Sequence, residues 1–466
     1  MKSTINHAFS IKILILVFFL VGLENITLPP IDAHDWRQTL TLSIAHNFLD
    51  HSNIFYPRMD IGGQGDGIMA CEFPIFNYLL AGIFKIFGPH DWYGRLLNWT
   101  ISCAGLWFFY ELVRKSSNAR VAFFASIVLM GSVVFEYARK SMPDTFALFT
   151  TMAGVWFLWR YIERASIKYL ILGFILTVCG ILSKIPFLVL LSFLIVPFLD
   201  NRYTVLAKRN VIIAVSIVMG CVGWWYFYWM PHLLETYGNQ LIWPVSLQDG
   251  WTIVTDQLAP DSWRMLMDIT FGYKTTFLIA IMGLGVLLTG SNTRLKWLVA
   301  IYGPLFLLFA LKTGIVFPTH EYYVIPLVPL LALFFGYFFD QLKWPDWALI
   351  LLAMLVLFQG FIHFKERSFT PIENRGYLMS LTNIMNQYTQ PEDKIMVNNG
   401  QFNPTMMYWA KRRGWTVNQD VPARTEWMPD FKKQGLKYIL IDRHLSEAPL
   451  PYTLVYEDEH FRLYGI

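Results

Sequence analysis

Long apolar runs separated by short charged loops fill most of the chain between residues 11 and 364. A helix needs roughly 17–25 residues to cross the hydrocarbon core of a bilayer. Runs near that length fall at about 11–28, 95–113, 119–136, 144–162, 168–183, 185–200, 210–230, 274–290, 296–312, 322–340 and 345–364. The pattern predicts about eleven crossings. Phe73–Phe87 is also apolar, but it is shorter, opens at Pro74 and carries Asn77 and Lys85. It reads as a helix lying at the membrane surface.

Sidedness follows from the basic residues. With 73–87 lying flat, Arg114-Lys115 with Arg120, Arg160/Arg164/Lys168, Arg202/Lys208/Arg209, Arg294/Lys296 and Lys343 share the side of Lys2 and Lys12. The opposite, extracytoplasmic face then receives residues 29–91, 136–144, the Ser183-Lys184 turn, 231–273, 312–323 and the tail. Asn25-Ile26-Thr27-Leu28-Pro29-Pro30 is a poor signal-peptidase site, so the first helix reads as a retained anchor.

The last hundred residues change character. Lys394–Val397, Trp415–Val417 and Lys437–Ile441 predict strands, with a terminal hairpin at Tyr452–Tyr456 and Phe461–Tyr464. Asn374–Gln387, Pro404–Lys411 and Phe431–Gln434 predict helices, the second closed by Gly414 at a helix end. The expected division is a mainly α transmembrane domain, 1–365, including the outer loop 29–92, and a small extracytoplasmic α/β domain, 366–466.

Composition agrees: of 466 residues, 55% are hydrophobic and 15% charged, against roughly 25% charged in soluble domains. No basic stripe alternates with aromatics, which excludes a nucleic-acid surface. Cys71, Cys103, Cys179 and Cys221 form neither a disulfide framework nor a CxxC metal spacing. The glycine-rich run Asp60–Gly67 lacks GxxxxGK[ST] and is not a P-loop. No HExxH occurs, and the His/acid pairs define no metal site, which leaves a divalent-metal cofactor open.

The candidate chemistry lies at helix exits on the outer face. Asp32-Ala33-His34-Asp35-Trp36-Arg37-Gln38 sets two acids and an arginine just beyond the first helix. Carboxylates are costly near lipid, so such a cluster suggests a site. A carboxylate there serves as a base and an arginine holds a phosphate; the plainer alternative is a helix cap within a surface ion-pair network. Glu72 before Phe73-Pro74 either favours a helix dipole or faces the same cavity. Arg139 and Lys140, with Asp144 after Pro143, favour an anionic ligand, against a dipole role for Asp144. Lys184 is either a snorkelling side chain or a phosphate clamp. An interfacial aromatic belt accounts for Tyr322 and Tyr323 but not for His320-Glu321.

Taken in order, these segments resemble the GT-C membrane glycosyltransferases, in the branch of the protein O-mannosyltransferases and aminoarabinose transferases. The resemblance rests on Asp32–Gln38 with Ile44–Phe48, Glu72-Phe73-Pro74, Lys85–Gly88 with Arg95-Leu96, Met142-Pro143-Asp144, Ser183–Pro186, and His320–Tyr323 with Pro326 and Pro329. It implies an inverting transfer of a sugar from a polyprenyl-phosphate donor to an envelope glycan, lipid or protein. The site would be on the extracytoplasmic side of a bacterial inner membrane. Asp35, then Asp32, is the implied base, Asp144 the second acidic site, and Lys184 the contact to lipid phosphate. His34, Arg37, Glu72, Arg139, His320, Glu321 and Tyr322 are candidate substrate contacts. The chain departs from the aminoarabinose transferases in having Trp36 after Asp35, and Glu72 where they carry a lysine. Two other classes fit an outer-face lipid site: a transporter or flippase of lipid-linked sugars, and a polymerase or ligase using a diphosphate-linked donor.

Overall fold

The structure is a computed structural model that describes residues 7–466 apart from Gln64 and Trp243. Lys2, and Gln64 of the glycine-rich loop, therefore lie outside the described residues. The first helices are α1 (His7–Val21), α2 (Asp35–Asp50), α3 (Ile75–Phe87), α4 (Trp92–Ser116), α5 (Ala119–Met130), α6 (Val133–Ala138), α7 (Pro143–Arg164) and α8 (Ile167–Ser183). The chain divides into two compact units. The helical unit contains residues up to Ile26, Arg95–Trp225 and Trp243–Thr370; the second, named the outer unit after the side that the charge pattern predicts, contains Thr27–Gly94, Tyr226–Ile242 and Pro371–Ile466. The boundary expected at 365/366 thus falls near 370/371. The loop 29–92, expected with the helices, clusters instead with the C-terminal residues.

Each of the predicted runs is largely helical. Among the described residues, five helices are long and apolar enough to cross a membrane: Trp92–Ser116, Val205–Tyr237, Thr293–Thr313, Glu321–Gln341 and Asp346–Phe369. A sixth arises if Ala259–Ile269 and Lys274–Thr289, bent by 88°, form one broken span. Other runs are shorter than the sequence suggested. The first ends at Val21, not near Leu28, and the third breaks at Gly131-Ser132, where Ser132 caps α6 by accepting from Val134. The run from Ile185 coils as a 3-10 stretch to Leu194 before a last α turn.

Local signals explain the helix starts. Asn118 caps α5 through Val121 N at 2.9 Å, and Pro143 occupies the first turn of α7, where its missing N–H costs nothing. Helices α7 and α8 meet at glycines: a Cβ on Gly154 would collide with the backbone of Thr177, and one on Gly180 with that of Thr151.

The basic loops of the helical unit gather at one end. Lys115 and Arg160 pair with Glu163 at 2.5 and 2.8 Å, Arg202 and Arg294 with Asp200 at 2.6 and 2.9 Å, and Arg120 with Asp346 at 3.3 Å. Helices α5 and α6 carry the chain away from that end, α7 returns to it, and α8 leaves it again. Glu136–Asp144 and Ser183-Lys184 therefore share the other end, as the charge pattern predicts.

In the outer unit, α3 has 13 residues. At 1.5 Å per residue it extends about 20 Å, too short to cross a core of about 30 Å. It buries Phe76, Leu80 and Phe84 and exposes Leu79, Ile86 and Phe87, as a helix in a membrane surface would.

The C-terminal strands are β1 (Lys394–Val397), β2 (Gly414–Thr416), β3 (Leu436–Asp442), β4 (Thr453–Glu457) and β5 (Phe461–Gly465). They form one sheet in the order β2-β1-β3-β5-β4, parallel through β2-β1-β3 and antiparallel through β3-β5-β4. Alternation sends Ile395, Val397, Leu440 and Leu463 to a core shared with Leu40, Ile44 and Phe84, and Met396, Ile439, Ile441 and Tyr464 to a second core. Gly414 is not the helix-end residue expected. The helix Thr405–Ala410 closes on Lys411, whose φ of 50° is left-handed. Gly414 instead opens β2, where a Cβ would strike the Ile395 carbonyl.

His46 of α2 lies between the rings of Phe84 and Tyr408. Burial, aided by Lys411, lowers its pKa from 6.5 to about 4, against the opposing pull of Asp91.

Two predictions follow from packing and burial. Gly154→Leu or Gly180→Leu overpacks the α7–α8 contact, by about 1–3 kcal/mol, and lowers the melting temperature of the purified protein. Gly220→Ala, with open space around it, leaves that temperature unchanged. A His whose folded pKa is depressed stays neutral in the native state while the unfolded chain takes up a proton. The outer unit therefore loses stability as pH falls from 6.5 toward 4. In His46→Phe, acid unfolding followed by tryptophan fluorescence should be flatter across that window.

Candidate active site

The outer unit builds its acidic group where α2 begins. His34 precedes the helix with φ 61° and ψ 33°, a left-handed conformation uncommon outside glycine. Its carbonyl accepts from Arg37 N and Gln38 N, which starts the helix. Asp32 is fully buried and accepts from Gln38 Nε2 at 2.6 Å. Asp35 is 5% exposed. Its Oδ1 accepts from Trp36 N at 2.7 Å, and its Oδ2 is paired with Arg375 Nη1. Burial pushes the Asp35 carboxyl above the usual range; Arg375 and the Trp36 N–H work against that rise, and Asp32 adds to it. The residue at the N-cap position of α2, His34, makes no side-chain cap bond, and Asp35 lies in the first turn.

Arg37 Nη2 donates to Glu72 Oε1 at 2.9 Å. Glu72 therefore serves as the partner of Arg37, while α3 starts three residues later behind Pro74. Farther along α2, Asp60 accepts from Ser43 at 2.8 Å and Asn47 at 3.0 Å, and Arg413 donates to Asn47 at 3.0 Å. Its carboxyl is also raised by burial. This group ties the glycine-rich loop to α2, a structural role for that loop.

The helical unit holds a second set of charges. Glu136, with no exposed surface, lies 3.2 Å from Arg367 Nε and 3.7 Å from Lys140 Nζ. Arg367 also donates to Glu321 Oε1 at 3.0 Å, and Lys140 donates to the Arg367 carbonyl at 3.1 Å. Asp144 and Lys184 are paired at 3.5 Å. Lys184 Nζ stands 5.6 Å from the centroid of Tyr322 and 5.8 Å from that of Tyr323. Lys184 is extended (φ −156°) between the end of α8 and Pro186. His320 Nδ1 lies 2.9 Å from Thr319 Oγ1, and its ring is 5.6 Å from Tyr322.

Arg139, a candidate for the anionic ligand, is fully buried and donates to backbone carbonyls. Its Nε donates to Gly22 O at 2.9 Å, its two Nη groups to Ser368 O and Glu24 O, and its plane lies 3.5 Å from the Phe369 centroid. The geometry makes it a brace for the ends of two helices. The sequence reading did not single out Glu136, Arg367 or Arg375. Glu136 carried a usable signal, an acid at the end of an apolar run. Arg367 and Arg375 carried none, since their partners are 46 and 340 positions away.

Comparison with known proteins bears on the fold that carries these residues. Residues 72–229, about a third of the chain, match the family model described as dolichyl-phosphate-mannose-protein mannosyltransferase. No curated protein matches by sequence. Among solved structures, ArnT from Cupriavidus metallidurans bound to undecaprenyl phosphate superposes with a TM-score of 0.61 at 13% identity, covering 99% of this chain and 98% of that one. The archaeal oligosaccharyltransferase AglB from Archaeoglobus fulgidus, in complex with an inhibitory peptide and a dolichol-phosphate, gives 0.58 at 10% identity, covering 93% of this chain and 69% of that one. The resemblance read from the sequence thus holds: the chain is a multi-pass membrane protein with the GT-C fold of the ArnT type. Its segment 72–229 carries the signature of the mannosyltransferase family.

Replacing Arg139 by methionine strands buried carbonyls, at a cost of about 1–3 kcal/mol for each polar group left unpaired. The melting temperature of the purified protein should fall.

Proposed function

We propose that the chain is an inverting glycosyltransferase that moves a sugar from a polyprenyl-phosphate donor to an envelope glycan, lipid or protein. In this reading Asp35 is the base. The acceptor oxygen bonds to the anomeric carbon as its proton passes to Asp35, and the bond from that carbon to the phosphate oxygen breaks from the opposite face. The phosphate leaves with both electrons of that bond. General-base assistance of this kind contributes about 10²–10⁴-fold, and cations stabilise the departing charge. Asp32 holds the start of α2 through Gln38, and Glu72 orients Arg37. Lys184 is the proposed contact to donor phosphate, with Asp144 aiming its ammonium and Tyr322 beside it, and His320 and Glu321 are further proposed substrate contacts.

The observation that carries this reading is Asp35 itself: a nearly buried carboxyl of raised basicity at the entry to α2, in a chain of the ArnT fold. We read the apolar runs as crossings or part-crossings that leave the basic loops in the cytoplasm of a bacterial inner membrane. The acids at 32–35 and the tail are then extracytoplasmic.

Asp35→Asn should reduce transfer of labelled sugar to envelope acceptors by at least about 10²-fold while undecaprenyl phosphate still binds. Lys184→Ala should weaken that binding by about tenfold, the loss of one charge-assisted contact of about 1.5 kcal/mol. Retained transfer in Asp35→Asn would remove the base assignment. A cysteine placed in the tail and labelled only after the membrane is made permeable from inside would reverse the topology.

A further inference from the structure

Arg375 reaches Asp35 from the far end of the chain, and its approach is built by several contacts. Ile372 N donates to Ile31 O at 2.8 Å, which fastens the segment after the last long helix to the residues before Asp32. Asn374 then adopts φ 61°, a left-handed turn, and Arg375 N closes it on Ile372 O at 3.2 Å. Leu378 N donates to Arg375 O at 3.2 Å. Tyr377, two residues on, anchors the segment by donating to Asp442 Oδ2 at 2.7 Å and lying against the rings of His444, His460 and Phe461. The result delivers one guanidinium to one carboxylate oxygen. The Arg375 side chain is 40% exposed where that of Asp35 is 7% exposed, so the arginine covers the acid from the solvent side.

We infer that Arg375 is a positioning residue for the proposed base: it fixes the Asp35 carboxylate with Oδ2 outward and keeps it ionised. This rests on the reading of Asp35 given above. The charged groups that act on Asp35 are Arg375 and Asp32, and Asp35 in turn acts on Tyr377. Arg375 is the cation among them; Asp32 opposes ionisation, as does burial. An adjacent guanidinium lowers a carboxyl pKa by about 1–3 units. Without it, a carboxyl this buried takes up its proton at higher pH and no longer accepts one from an acceptor. The Trp36 N–H, bound to Oδ1, cannot replace the arginine, because it adds a hydrogen bond but no charge.

The test follows the Asp35 proton directly in the whole purified chain. Infrared difference spectra are recorded during a pH titration of wild type, Asp35→Asn, Arg375→Gln and Arg375→Lys; the carbonyl band missing from Asp35→Asn identifies the residue. The midpoint should rise by about one pH unit or more in Arg375→Gln and return most of the way in Arg375→Lys. A midpoint in Arg375→Gln equal to wild type would overturn the inference, as would a glutamine-sized shift in Arg375→Lys. The titration needs no donor, so it separates from the transfer assay. An unshifted midpoint with inactive Asp35→Asn defeats only the role of Arg375. A shifted midpoint with active Asp35→Asn defeats the base assignment and leaves the electrostatic coupling standing.

Discussion

A carboxylate removed from water must be matched by a cation or a set of hydrogen bonds, and each unit of this protein is arranged around that constraint. Asp35 is answered by Arg375, Asp32 by Gln38, Glu136 by Lys140 and Arg367, and Asp144 by Lys184. Most partners come from distant sequence, so the pairs also fasten segments that have no other reason to meet. Removing one partner leaves an uncompensated charge, which costs more than an intact pair contributes. Chemistry and architecture therefore draw on the same side chains.

The two ends of the helical unit use charge differently. At the end with the basic loops, Glu163 and Asp200 each serve two basic residues, and those loops keep exposed arginines such as Arg202. At the other end, Glu136, Lys140 and Arg139 are withdrawn from solvent, and Arg139 donates to the carbonyls of Gly22, Ser368 and Glu24. The first arrangement suits an interface with water and anionic lipid headgroups. The second suits a surface prepared for a ligand, where the cost of burial is met in advance.

Periodicity and turn chemistry made most of the architecture legible. The apolar runs located the helices, Pro143 marked the start of α7, and the alternation in 394–464 pointed to strands and a terminal hairpin in a small α/β domain. Boundaries failed where local rules have a competitor: Gly131-Ser132 interrupts a run that hydropathy treats as continuous, and Lys411 takes a left-handed turn that a glycine would ordinarily fill. Among the candidate residues, the acids near residue 35 and the lysine at 184 could be found because charge beside lipid is conspicuous. Arg375, Arg367 and the bracing role of Arg139 could not, because they depend on which distant backbone folds against them. The association of the loop 29–92 with the last hundred residues was hidden for the same reason.

That association sets an order of assembly. The residue that neutralises Asp35 is made some 340 positions later, as is the amide that fastens Ile31. During synthesis, the first loop leaves the ribosome long before either arrives. Its acids must wait, hydrated and unfastened, until the final segment has been translated and joined to them. A chain interrupted anywhere in its long helical middle would therefore carry the acids of a site without their finished surroundings.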